Sequence, residues 1–220
     1  MKKLVIFDLD GTLLNTIEDL GEAANHALEK CGYPTHSLSS YPFFVGNGVS
    51  KLLERVLPED RRNKLEIHRL RREFTEYYDA HCADKTVPYP GIHKLLRDLR
   101  DHDIRVAVAS NKYRKAVVEL IAHFFPDIEW AAIEGQVEGR PTKPDPSVVF
   151  EILLQTPTPK ADVLYVGDSG VDMETARRAC VESVGVTWGF RPVKELRENY
   201  ADRIVDHPSE ILTIALEETK

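Results

Sequence analysis

The chain opens with a short apolar run, Leu4-Val5-Ile6-Phe7, closed by Asp8. A run this short and rich in branched side chains predicts a strand buried on both faces. The period then changes. Ile17, Leu20, Ala24, Ala27 and Leu28 fall about one helical turn apart, and Thr16 is a candidate cap for that helix. Gly46-Asn47-Gly48 interrupts, and Val49, Leu52, Leu53 and Val56 form a second helical stripe. Beyond Pro58 a long charged helix is expected to run toward Cys82, with Leu65, Leu70, Phe74 and Tyr77 turned inward. Residues 15–86 therefore read as helical.

Val87-Pro88-Tyr89-Pro90-Gly91 is a stiff turn and a natural return point. After it, helix and strand alternate. Helices are expected around Ile92 to Leu99, Val117 to Ile121, Val148 to Leu154 and Met173 to Ala179, with a last one ending near Leu216. Strands are expected at Ile104 to Ala109, Trp130 to Ile133, Val163 to Val166, Ser183 to Val186 and Ile204-Val205. Such alternation predicts a parallel sheet with helices on both faces. The fold class is thus α/β: a doubly wound, Rossmann-like core of residues 1–14 and 87–220, with an α-helical cap domain, 15–86, inserted after the first strand.

Composition narrows the setting. The chain has 220 residues, 42% hydrophobic and 30% charged, which suits a folded globular protein and excludes extensive disorder. A formal net charge of −7 makes the surface as a whole repel nucleic acid and anionic membrane. A small anionic substrate would then need a local positive pocket. Met1-Lys2-Lys3 followed by four apolar residues is too short for an export signal, and no apolar run could cross a bilayer. Cys31, Cys82 and Cys180 lack metal or redox spacing and read as reduced thiols. A cytoplasmic protein is expected. The eight histidines are scattered and form no metal pattern.

In an open parallel sheet, ligands bind beyond the carboxyl ends of the strands, so the residues leaving each strand carry the chemistry. The first strand ends in Asp8-Leu9-Asp10-Gly11-Thr12. Carboxylates two apart on extended backbone share a side, and their repulsion calls for a cation or a proton. Gly11 permits a tight turn whose N–H groups could face a phosphate. The strand from Ile104 leads into Ser110-Asn111-Lys112, and that from Val163 into Gly167-Asp168 through Asp172. Lys143 lies in Pro141-Thr142-Lys143-Pro144-Asp145-Pro146, stiffened by three prolines at a helix entry. Together these suit a hard cation held by oxygens beside a phosphate held by lysine and N–H donors. Taken singly, each is an ordinary turn or helix cap; their order at successive strand ends is what points to a site.

These residues resemble the haloacid dehalogenase superfamily, whose four motifs are matched in order by Asp8-Leu9-Asp10-Gly11-Thr12-Leu13, Ser110-Asn111, Lys143, and Gly167-Asp168 through Asp172. The helical insertion looks like that family's smaller cap type. Phe44-Val45-Gly46-Asn47-Gly48, Ser110-Asn111-Lys112, Lys143-Pro144-Asp145-Pro146 and Thr187 through Arg191 look most like phosphoglycolate phosphatases and close relatives. The resemblance implies a Mg²⁺-dependent phosphatase acting on a small phosphorylated metabolite. Asp8 would be the nucleophile, and Asp10 the general acid and base. Thr12, Ser110, Asn111 and Lys143 would bind phosphate. Asp8, Asp10 (by its backbone carbonyl) and Asp168 would hold the metal, supported by Asp172.

Two positions depart from the family pattern. Asn15 stands where many relatives have Asp, and Cys180 where they usually place a helix-stopping glycine. Either Cys180 tolerates a left-handed conformation or the helix ends differently.

Lys51 and Arg55 could face a substrate carboxylate or form surface ion pairs. Arg69, Arg71 and Arg72 beside Glu66 and Glu73 read as a solvated helix face, and Trp188 to Phe190 as core packing or a loop under the site. A sugar phosphomutase or a pyrophosphatase of the same superfamily is the alternative chemistry. A receiver-like regulatory domain is disfavoured because Asp8 lies on the opening strand. A dehalogenase is disfavoured by Asp10, and a silent binding relative by the full set of reactive side chains.

Overall fold

In a computed structural model describing residues 1–217, β1 (Leu4–Phe7) is buried along its whole length, as its composition requires. A short extended pair of residues, β2 (Leu14–Asn15), leads to helix α1 (Ile17–Cys31), followed by α2 (Val49–Val56) and α3 (Lys64–His81). The chain returns through β3 (Val87–Pro88) to α4 (Ile92–Asp101), β4 (Arg105–Tyr113), α5 (Arg114–Phe124), β5 (Trp130–Gln136) and α6 (Ser147–Gln155). The remaining elements are β6 (Val163–Gly167), α7 (Gly170–Ala179), β7 (Glu182–Val186), α8 (Val193–Glu198), β8 (Arg203–Val205) and α9 (Pro208–Leu216). The main sheet runs β5-β4-β1-β6-β7-β8, and all its pairings are parallel. β1 lies at the centre, Phe7 in register with Val108 on one side and Val166 on the other.

Alternation along the strands sorts side chains to two faces. Leu4, Ile6, Ala107 and Tyr165 pack with Val149, Ile152 and Ala176 of α6 and α7. Val5, Phe7, Val108 and Val166 pack with Leu96, Leu99, Leu120 and Ile211 from α4, α5 and α9. The apolar cluster on this second face continues into the helical segment, where Ala23, Ala24 and Ala27 of α1 and Leu70, Phe74 and Tyr78 of α3 are buried. No helix among the described residues is long and apolar enough to cross a membrane.

Both connections to the helical segment are tied to each other. β2 and β3 pair antiparallel, Leu14 opposite Pro88 and Asn15 opposite Val87. The buried Asp19 carboxylate of α1 accepts the Thr86 N–H at 2.8 Å and the Thr86 hydroxyl at 2.7 Å.

Several sequence expectations are corrected. Leu65 is 74% exposed and Tyr77 only half-buried. The inward stripe of α3 is Leu70, Phe74 and Tyr78, spaced by four, and α3 begins only at Lys64, where the Asn63 side chain accepts the N–H groups of Leu65 and Glu66. Thr16 does not cap α1 with its side chain; its hydroxyl is committed elsewhere, as shown below. Ser110 and Asn111 lie inside β4, which runs on to Tyr113, and so do not cap α5. Helix α8 and the β2–β3 pair were not anticipated, being too short to show a period. Cys180 adopts the left-handed conformation, φ 59° and ψ 46°, and ends α7 there. Asn15 accepts the Ile17 N–H at 3.4 Å, the local bond expected of either Asn or Asp.

Leu99 is fully buried in the α4 seam. Leu99→Ala is expected to cost about 2–5 kcal/mol, measured by denaturant unfolding; a change under about 1 kcal/mol would show that the seam collapses around the gap.

Candidate active site

The carboxyl edge of the sheet gathers the predicted residues. Asp8 leaves β1, Ser110, Asn111 and Lys112 occupy the end of β4, Asp168 follows β6, and Lys143 approaches from the loop before α6. The Lys143 ammonium, almost fully buried, lies 3.0 Å from Asp8 Oδ1 and 2.7 Å from Asp172 Oδ1, and donates to the Ala109 carbonyl at 2.9 Å. Its backbone is pinned as well: the Asn111 side-chain oxygen accepts the Lys143 N–H at 2.8 Å, and the Asn111 amide donates to the carbonyls of Lys143 (3.2 Å) and Gly46 (3.1 Å).

Oxygens of Asp8, Asp168 and Asp172, all buried, lie within 4.8 Å of one another. Asp172 spends both oxygens on protein. Lys143 and the Tyr165 hydroxyl (3.3 Å) meet Oδ1, while Oδ2 accepts the Ser169 hydroxyl at 2.6 Å and the Ser169 N–H at 3.2 Å, the latter closing a capping box on α7. Asp168 keeps one oxygen on the Phe190 N–H at 2.7 Å, leaving Oδ1 free of protein hydrogen bonds among the described residues. The loop with Trp188 to Phe190 therefore lies under the site, and the Trp188 ring N–H donates to the Thr12 carbonyl at 3.0 Å.

Glycine is required twice here. Gly11 has φ +85°, and a side chain on it or on Gly189 would collide with the Asp168 carboxylate.

Asp10 is held apart from this cluster. The Thr16 hydroxyl donates to its Oδ1 at 2.8 Å, and the Lys112 ammonium meets both its oxygens at 3.0 Å. In the sequence Lys112 stands out only within a motif, Thr16 only as a candidate cap, and Tyr78 not at all; the available signal is a lysine at a strand end beside the acidic pair. Thr12 is fully buried, its N–H on the Leu9 carbonyl at 3.3 Å and its hydroxyl without a protein partner. Ser110 lines the same chamber as Asp8 and Asp10. Its oxygen accepts the Lys112 N–H at 3.2 Å, which leaves its own proton available.

Four buried or nearly buried carboxylates (Asp8, Asp10, Asp168 and Asp172) thus face two ammonium groups, Lys112 and Lys143. The surplus negative charge is visible in the ionisation. Burial pushes the Asp8 carboxyl up to about 7, Lys143 opposing and Asp172 and Asp10 reinforcing. Burial, then Asp172 and Asp8, push Asp168 well above the usual carboxylate range. Burial pulls Lys143 down, but Asp172 and Asp8 outweigh it and hold the ammonium firmly charged. An all-oxygen cluster short of positive charge fits a hard divalent cation such as Mg²⁺.

Fold and site together define an α/β enzyme core with an acidic, lysine-bridged centre at its sheet edge. A family model described as haloacid dehalogenase-like hydrolase matches residues 5–186. The chain belongs to this family of hydrolases. It is 30% identical over 219 residues to the phosphoglycolate phosphatase of Mesorhizobium japonicum, covering 99% of this chain and 96% of that one. It is 31% identical over 224 residues to the phosphoglycolate phosphatase of Vibrio cholerae serotype O1, covering 97% of each. A solved structure from Lactobacillus delbrueckii subsp. bulgaricus is similar with a TM-score of 0.92 at 33% identity, covering 99% of this chain and 100% of that one. A predicted phosphoglycolate phosphatase from Haemophilus somnus 129pt gives a TM-score of 0.88 at 27% identity, covering 97% of each chain.

The raised carboxyls give a signed expectation. Because the folded Asp8 pKa lies above its ordinary value of 3.8, ionising it opposes folding: the contribution of the protonated carboxyl is fully present below 3.8 and is lost as pH rises to about 7. A cation that binds the ionised cluster restores it. Mg²⁺ is therefore expected to raise the thermal midpoint more at about pH 8 than at about pH 5.5. Equal shifts in the two buffers would contradict the ionisation assigned here.

Proposed function

We propose that this protein is a Mg²⁺-dependent phosphatase that hydrolyses a small, phosphoglycolate-like phosphate monoester through an aspartyl-phosphate on Asp8. The observation that carries this reading is the Asp8 carboxylate held 3.0 Å from the Lys143 ammonium, beside Asp168 and with Ser110 on the same chamber wall. The resemblance to phosphoglycolate phosphatases over nearly the whole chain supports it.

In this mechanism an Asp8 oxygen attacks phosphorus and the ester oxygen departs, splitting one difficult hydrolysis into two easier steps. Asp10 protonates the departing oxygen, then takes a proton from the water that cleaves the acyl-phosphate. Lys143, the Ser110 hydroxyl and an N–H of the Asn111 region bind the transferring oxygens, where charge spreads in the transition state. Thr12 belongs to this phosphate-binding set through the turn it builds after Asp10. Mg²⁺, held by an Asp8 oxygen, the Asp10 backbone carbonyl and Asp168, would screen the repulsion between an anionic nucleophile and an anionic phosphate. Asp172 acts by fixing Lys143.

Residues 15–86 serve in this reading as a cap that closes over the sheet edge, hinged near residues 14–16 and 87–91. Contacts spanning the two parts fit that role: Asn111 to the Gly46 carbonyl, Arg191 to the Val45 carbonyl at 2.9 Å, and the Tyr113 hydroxyl to Asp79 at 2.5 Å. A sugar phosphomutase would use the same Asp8 and Asp10. Following phosphate release against isomer formation from a phosphorylated sugar separates the two readings.

A folded Asp8→Asn protein is expected to show no steady-state hydrolysis of 2-phosphoglycolate with Mg²⁺ present; normal turnover would refute the nucleophile. Asp10→Asn is expected to lower kcat by ~10²–10⁴ for esters with poorly departing alcohols. Its loss should be smaller for p-nitrophenyl phosphate, whose leaving group needs no proton. An equal loss on both esters would remove Asp10 as the acid.

A further inference from the structure

The chamber above Asp8 is largely apolar, walled by Leu20, Val45, Val49, Leu52 and Phe74 from the helical segment and its loops. Among the described residues that line it, Lys112 is the only basic one. Its side chain is 3% exposed, and the ammonium sits 4.8 Å from the centroid of the Tyr78 ring. Both oxygens of Asp10 are its only hydrogen-bond acceptors among the described residues, so of its three N–H groups at least one is left over. Tyr78 also lines the chamber, is fully buried, and its hydroxyl has no hydrogen-bond partner. A buried hydroxyl without a partner is costly and uncommon in folded proteins. Spare donors on two neighbouring side chains, in an otherwise greasy space next to the nucleophile, call for an acceptor that the protein does not supply.

Arg71 lines a neighbouring cavity with Gly48, Asn111 and Tyr113, outside the chamber over Asp8; other basic candidates are already committed. Lys51 is exposed and pairs with Glu54 at 2.6 Å. Arg55 is spent on the Phe44 and Val45 carbonyls and the Asn47 side chain. Arg69 and Arg72 pair with Glu66 and Glu73 on the outer face of α3.

We infer that Lys112, with the Tyr78 hydroxyl, is the specificity pair of the site and receives a carboxylate carried on the leaving group, one or two carbons from the ester oxygen. This rests on the phosphatase reading above. A buried ammonium over an aromatic face, with a spare N–H, distinguishes an anionic leaving group from a neutral one of equal size, because the neutral group leaves the charge unmatched. The exchange also links recognition to chemistry. When the substrate carboxylate shares the Lys112 ammonium, Asp10 keeps the Thr16 hydroxyl and loses part of its second anchor, so it can turn toward the departing oxygen. Lys112 is thus a positioning residue for Asp10 as well as a binding residue for substrate.

The test compares 2-phosphoglycolate with 2-hydroxyethyl phosphate, in which a CH₂OH group replaces the carboxylate, using kcat/KM with Mg²⁺ on the full chain. Wild type is expected to prefer the carboxylate ester by at least ~10-fold, since a charge-assisted bond is lost with the neutral ester. Lys112→Met is expected to slow both esters through Asp10 and, beyond that, to reduce the preference by ~10–100-fold. Lys112→Arg should retain most of it. Tyr78→Phe, a smaller change to the core, is expected to reduce the preference several-fold with the larger part in KM. A wild-type preference near one, or a preference unchanged in folded Lys112→Met and Tyr78→Phe proteins, would overturn the inference. Should Lys112→Met fail to fold, the wild-type preference and Tyr78→Phe decide. A wild type that hydrolyses neither ester nor p-nitrophenyl phosphate fails the phosphatase reading instead, so the two failures are separable.

Discussion

The Lys143 ammonium is buried between the carboxylates of Asp8 and Asp172, and the rest of the sheet edge is arranged around it. A charge in that position is tolerable only if every donor is matched, because removing one partner of a buried pair strands the other. Three acceptors from three places answer that need: the end of β1, the first turn of α7 and the Ala109 carbonyl inside β4. The same lysine therefore fastens two strands and a helix together and fixes the position of the Asp8 carboxylate. Asp172 illustrates the division of labour. With its oxygens taken by Lys143, Tyr165 and Ser169, it has little left for a cation but holds α7 and Lys143 in one geometry.

Much of this was legible in the sequence because strand ends and glycines are local signals. Leu4 to Phe7 followed by Asp8 and Asp10 announces a buried strand with acids at its carboxyl end, and the proline-rich setting of Lys143 announces a fixed backbone. The parallel sheet followed from the alternation of strand and helix, whereas the strand order with β1 at the centre is seen only in the structure. What was not legible depends on long-range partners. Thr16 has the composition of a cap, yet a carboxylate six residues earlier claims its hydroxyl. Lys112 reads as a strand-end lysine until Asp10 and the Tyr78 ring are seen on either side of it. On α3, Tyr77 and Tyr78 are equally apolar in the sequence. Only packing against α1 and the sheet edge selects Tyr78, leaving Tyr77 to stack on His26 at 4.2 Å.

The ionisation of the centre and its architecture are two views of one imbalance. More carboxylates than ammonium groups are enclosed where water is scarce, so protons are retained on Asp8 and Asp168 above their ordinary range. The buried cluster of Asp8, Asp168 and Asp172 has the charge and the oxygen donors to accept a hard cation. The Asn111 side chain couples the two parts physically: one amide holds the backbone of Lys143 and the Gly46 carbonyl of the helical segment.

The β2–β3 ladder has a consequence for how such a molecule can change over evolutionary time. Because Leu14 and Asn15 already pair with Pro88 and Val87, the two ends of the inserted segment emerge side by side from a closed port. The loop-closure entropy of whatever lies between them is met by the port itself and grows only slowly with length. A longer, shorter or differently folded segment could occupy the same doorway without disturbing the register of the central strands.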